Sequence, residues 1–134
     1  MSRLIPLLSL CLSLLAPSLG AQEVMSADAF DAYTRGKTFY YGSNGMAYGA
    51  EEYMNDRRVR WSFLDGECQE GEWYEESGQI CFVYENHPEP QCWTFTKGPG
   101  GLVARFENDP LATELYEVEQ SDEPLSCPGP EIGV

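Results

Sequence analysis

The chain has 134 residues, with 22 acidic against 8 basic side chains, a formal charge of −14 and 13% aromatic content. That length suits one domain and falls short of most multidomain enzymes, while 43% hydrophobic content rich in aromatic rings excludes a disordered chain. So acidic a protein is repelled by phosphate backbones and anionic lipid surfaces, which argues against nucleic acid as a partner.

Residues 1–21 read as a secretory signal, a stretch removed on export. Arg3 gives the positive start, residues 4–16 are apolar, and Ser18, Gly20 and Ala21 are the small residues that cleavage requires. The apolar stretch contains Pro6, stops at Pro17 and is shorter than the roughly 20 residues of a membrane helix. No later run is long enough, so no membrane span is expected after the signal is removed. Leu10 before Cys11 is too large for a lipoprotein cleavage box, which makes lipid anchoring the lesser reading. Cleavage before Gln22 leaves an acidic mature chain of net charge −15, placed in the periplasm or outside the cell.

Residues 26–35 form a short helix, with Ser26 as N-cap, Asp28 in the first turn, Arg35 in the last and Gly36 as terminator. Met25 and Phe30 occupy the two positions of a hydrophobic staple, and Phe30 and Tyr33 share a face suited to capping a sheet or a barrel end. Beyond Gly36 the apolar period becomes two. Strands are expected over 37–41, 47–53, 58–64, 70–75, 79–84, 91–97, 102–107 and 113–118. Between them lie turn residues such as Ser43-Asn44-Gly45, Asp65-Gly66, Ser77-Gly78, Gly98-Pro99-Gly100-Gly101 and Asn108-Asp109-Pro110. Loops this short join antiparallel strands. The expected fold is all-β: an up-and-down antiparallel barrel of about eight strands over 22–118 with the short N-terminal helix, preferred to a sandwich because closure removes exposed edges. A Pro-rich tail follows over 119–134. The inward set comprises Phe39, Tyr41, Val59, Trp61, Phe63, Trp73, Ile80, Phe82, Tyr84, Trp93, Phe95, Leu102, Ala104 and Phe106. Rings this large can fill a small barrel, so a cavity does not follow from the barrel shape alone.

Signal removal discards Cys11 and leaves Cys68, Cys81, Cys92 and Cys127, an even number that favours two disulfides in an oxidising compartment. If 79–84 and 91–97 form a hairpin around Asn86-His87-Pro88, pairing Ile80 with Trp93 on the apolar face sets Cys81 opposite Cys92. Cys68 and Cys127 are then left for each other, tying the tail to the body. Cys68 with Cys81 and Cys92 with Cys127 stays open. The cysteine spacings lack a CxxC knuckle, so zinc is disfavoured.

Residues capable of chemistry are few. Gly36-Lys37-Thr38 lacks the earlier glycine of a phosphate loop. His87, the only histidine, lies in the expected hairpin loop with no Ser or Cys arrangement to serve. Glu67, Glu70, Glu72, Glu75 and Glu76 lack calcium-loop spacing and suit a solvated strand face. Arg57, Arg58 and Arg60 concentrate three of the few basic residues within four positions. They form a candidate binding surface for a carboxylate or phosphate; the plainer reading pairs them with Glu51, Glu52, Glu70 or Glu72 across strands. Tyr40, Tyr48 and Tyr53 are candidates for a binding mouth or for core and cross-strand packing.

The succession Gly36-Lys37-Thr38, Gly71-Glu72-Trp73, Ile80-Cys81-Phe82 and Cys92-Trp93 resembles an uncharacterised secreted proteobacterial family, domain of unknown function 995, over roughly residues 34 to 106. The resemblance implies a lipocalin-like small β protein of periplasmic type, supports joining Cys81 to Cys92, and carries no activity with it. The expected function is a non-enzymatic binding or interaction module for a small amphipathic ligand or a protein partner, with no cofactor and no metal. Inhibition of a basic cell-wall hydrolase such as lysozyme, and hydrolysis by paired carboxylates, are the alternatives.

Overall fold

Alternating apolar residues bury one strand face only when a second layer or a closed curve receives it, and here the sheet closes on itself. A computed structural model describes residues 22–109, 111 and 113–128; the expected signal segment and the end of the tail lie outside the described residues. The helix α1 (Ala27–Thr34) precedes β1 (Lys37–Ser43), β2 (Met46–Tyr53), a 3-10 turn (Asn55–Arg57), β3 (Arg58–Ser62), β4 (Gln69–Glu76) and β5 (Gln79–Tyr84). β6 (His87–Gly98), β7 (Gly101–Phe106) and β8 (Glu114–Ser121) complete the set. Each strand pairs antiparallel with the next, and β8 returns to β1, so the expected eight-stranded barrel is closed. This up-and-down order places the β1–β2, β3–β4, β5–β6 and β7–β8 connections at one end and α1 at the other.

Helix α1 plugs its end. The Ser26 hydroxyl accepts from the Ala29 amide at 3.1 Å, the N-cap bond expected of that residue, and Arg35 pairs with Asp31 one turn away. Phe30 is fully buried. Its ring lies edge-on to Tyr53 at 5.5 Å and to Trp73 at 5.2 Å, with Phe95 at 4.5 Å. The Gly36 amide donates to the Tyr53 carbonyl at 2.7 Å, fixing the helix exit to the foot of β2.

The disulfide pairing follows the ladder. Ile80 pairs with Trp93 and Cys81 with Cys92, the two cysteines being bonded with Cα atoms 4.0 Å apart. Cys68 is bonded to Cys127 at a Cα separation of 5.6 Å. The tail that this second bridge anchors runs over the outside of the barrel. The Thr38 hydroxyl donates to the Glu123 carbonyl at 2.8 Å, and the Leu125 amide donates to Glu52 Oε2 at 3.2 Å. Leu125 is buried there, and so are the outward-facing Thr38 and Ala50.

Three local expectations are corrected. The β5–β6 turn is Glu85-Asn86, not Asn86-His87-Pro88, because Tyr84 pairs with His87; the register then slips before Phe82 meets Gln91. The slip spans Pro88 and Pro90, which lack the N–H that a regular ladder needs. β3 stops at Ser62, whose hydroxyl accepts from the Leu64 amide at 2.9 Å, and Leu64 adopts a positive φ of 66°. That turn releases Phe63 from the barrel wall to 54% exposure, so it is not a core residue. At the far end β8 continues to Ser121, further than the expected 113–118.

Candidate functional site

The barrel is not filled by its rings. A cavity of about 280 Å³ opens at the end opposite α1. Its lip carries Tyr48, Trp61 and Phe63, mutually packed with ring centroids 5.4 to 5.9 Å apart. Tyr48 reaches this position through a register slip. Tyr41 pairs with Gly49 and Gly42 with Ala47, so Tyr48 is the unpaired residue of a bulge and need not follow the alternation of β2. Asn86 of the β5–β6 turn and His87 of β6, with Gln69 and Gln91, supply polar side chains to the lining. Deeper in, Tyr41, Glu51, Tyr53, Phe82, Tyr84 and Phe95 line the cavity, and Phe30 packs beneath Tyr53 and Phe95.

Glu51 is the unexpected member. It faces inward because it stands opposite Phe39 on β1 and Trp61 on β3, in phase with Tyr53. Its relative exposure is 2%. The Tyr84 hydroxyl donates to Oε1 at 2.7 Å, while Oε2 has no hydrogen-bond partner within the protein. Burial raises the Glu51 carboxyl well above the ordinary carboxylate range, an effect that the Tyr84 hydrogen bond opposes. The hydroxyls of Tyr41 and Tyr53 are 2.8 Å apart, and burial pushes the phenols of Tyr41, Tyr53 and Tyr84 upward, keeping them neutral. The cavity is therefore lined by aromatic rings and neutral phenols, with one enclosed Glu51 oxygen that the protein leaves unpartnered.

The arginine triplet lies elsewhere. Arg60 bridges Glu52 at 3.5 Å and Glu70 at 2.7 Å, and Arg58 approaches Glu70 at 3.5 Å. The hydrogen bond and charge of Arg60 lower the Glu70 carboxyl below its usual range. Arg57 lies over the Trp73 ring at 4.4 Å. None of the three lines the cavity, and Glu51, one of the partners expected for them, points the other way. Of the three tyrosines grouped as a candidate mouth, Tyr48 is at the lip, Tyr53 is deep and buried, and Tyr40 lines no part of the cavity. Glu75 accepts from the Gly78 amide at 2.7 Å, serving its turn. Among the described residues no group of three or more His, Cys, Asp and Glu side chains is placed to hold a metal ion.

Sequence reasoning missed Glu51. The available signal was its position two residues before Tyr53, since an inward Tyr53 takes Glu51 with it. The two disulfides fit an oxidising, non-cytoplasmic setting, and no helix among the described residues is long and apolar enough to cross a membrane. No family model, curated protein or solved structure matches the chain.

Proposed function

We propose that the protein is a periplasmic or secreted binding protein without catalytic activity, which holds a small amphipathic molecule inside its barrel. One observation carries this reading: an aromatic cavity of about 280 Å³, closed at one end and holding a few convergent polar groups. Cavities of that kind are how folded domains bind small molecules. The disulfides support an exported location, as does the signal-like character of residues 1–21.

The rival readings have less behind them. Hydrolysis by paired carboxylates needs a second acidic group within about 5 to 9.5 Å, and Glu51 is the only carboxylate among the described lining residues. Inhibition of a basic hydrolase rests on net charge and on the small size and β-barrel build, neither of which singles out a contact surface.

Titration with N-phenyl-1-naphthylamine, a neutral fluorophore that brightens in apolar surroundings, tests the proposal. Saturable binding at one molecule per chain is expected, and Ala104→Phe, which adds a ring at a lining position, is expected to abolish it. Absence of saturable binding by the folded wild-type protein counts against the proposal.

A further inference from the structure

We infer that the cavity receives an organic ammonium ion bearing at least one N–H, a primary or secondary amine on an aromatic or short alkyl body, with Glu51 as the group that accepts it. This inference rests on the binding function proposed above and names its ligand class.

Glu51 Oε2 is an acceptor without a partner in an almost fully enclosed side chain that lines the cavity. Natural interiors rarely leave such an atom orphaned, so its partner is sought in what enters. Tyr84 fixes the carboxylate by occupying Oε1 at 2.7 Å, which leaves Oε2 as the accepting atom. No lysine or arginine lines the cavity among the described residues, and the nearby Arg60 is engaged outside by Glu52 and Glu70. Any counter-charge for Glu51 therefore arrives with the ligand.

The walls favour the same charge. Tyr41, Tyr48, Trp61 and Phe82 present aromatic rings to the cavity, and the negative face of a ring attracts a cation. A neutral alcohol could satisfy Oε2 but supplies no charge, an anion meets the carboxylate unfavourably, and a quaternary ammonium lacks the N–H that Oε2 requires.

Binding of such a cation draws Glu51 into its ionised form. Among the described residues, the titratable groups lining the cavity with it are Tyr41 of β1, Tyr48 and Tyr53 of β2, Tyr84 of β5 and, at the mouth, His87 of β6; the lining residues of β3, β4, β7 and β8 carry none. Burial keeps the phenols of Tyr41, Tyr53 and Tyr84 protonated. A cation at Oε2 opposes the rise that burial imposes on the Glu51 carboxyl, so binding favours proton release and a measured heat that varies with the ionisation enthalpy of the buffer.

Calorimetry with a matched series decides the matter: 2-phenylethylamine, 2-phenylethanol, 3-phenylpropionate and trimethyl(2-phenylethyl)ammonium, with N-phenyl-1-naphthylamine as an independent reporter of the cavity. The primary amine is expected to bind about ten-fold or more tighter than the alcohol and the quaternary ion, and 3-phenylpropionate weakest. Glu51→Gln is expected to erase the preference for amine over alcohol, read as the ratio of the two affinities so that a general change in the cavity cancels. Should that variant fail to fold, as read by circular dichroism, the wild-type ranking alone decides. An amine no tighter than the alcohol, or a carboxylate bound tightest, overturns the ammonium inference while naphthylamine binding keeps the cavity function standing. Loss of naphthylamine binding as well overturns both.

Discussion

The Tyr84 hydroxyl and Glu51 Oε1 lie 2.7 Å apart inside the barrel, with the other Glu51 oxygen unpartnered. A carboxylate with half its accepting capacity used is costly for the fold, because enclosure penalises charge and the single hydrogen bond only partly offsets it. A hydrophobic residue would pack more cheaply at this position. The chain instead places there the one acidic side chain among the described lining residues of its cavity.

The cost has a pH signature. Glu51 titrates above its ordinary range when folded, so the folded state holds a proton that the unfolded chain has lost. Stability from this group is fully present below the unfolded value of about 4.3 and declines as pH rises through the window toward the raised folded value. Without ligand, Glu51→Gln is expected to match the wild type near pH 4 and to exceed it at neutral pH by about 1–3 kcal/mol. Denaturant unfolding at both pH values measures this, and equal stabilities throughout would show Glu51 to be solvated.

Phe30→Ala removes the ring that closes the lower end against Tyr53, Trp73 and Phe95. A loss of about 3–5 kcal/mol is expected in urea unfolding. A loss below about 1 kcal/mol, the size of a surface change, would mean that α1 is a dispensable appendage.

Cutting the Cys68–Cys127 bridge, whose cysteines are 59 positions apart, is expected to cost about 4 kcal/mol by loop-closure entropy. The paired change Cys68→Ala with Cys127→Ala should also raise hydrogen exchange at the Leu125 amide, which Glu52 now holds. Unchanged protection there would separate tail docking from the disulfide.

Gly49 is small for a steric reason. A Cβ at this position would collide with the Trp61 indole and lie 2.7 Å from the Ser62 carbonyl oxygen. Gly49→Ala is expected to displace Trp61 at the lip, costing about 1–3 kcal/mol. Naphthylamine affinity should fall with it, and unaltered tryptophan emission and binding would show that the lip tolerates the shift.

Arg58→Ala combined with Arg60→Ala is expected to cost less than about 1 kcal/mol, since both side chains pair at the outer surface. It should leave naphthylamine binding intact. A large loss of binding would reinstate the triplet as a ligand surface.

The barrel was readable because its signals are local. Alternation across 79–84 and 91–97 set Cys81 opposite Cys92 without any long-range information, and the Gly- and Asn-rich turns delimited most strands. The cavity was not readable, since whether rings fill or fringe a barrel depends on curvature and on bulges. Tyr48 escapes its strand phase through one such bulge, and Phe63 leaves the wall because Ser62 and Leu64 form a turn. Glu51 was obscured by chemistry: beside Glu52, and in a chain with Arg58 and Arg60 nearby, it looked like another surface ion-pair partner. Only the barrel phase separates the two neighbours, sending Glu52 out to Arg60 and Glu51 in to Tyr84.

Because Phe30 stoppers the lower end, the barrel is a cup and not a conduit. On the binding function proposed above, a ligand would enter and leave by the same opening, past Tyr48, Trp61 and Phe63. Filling and emptying would then share that single rim, and a macromolecule resting on it would govern both at once.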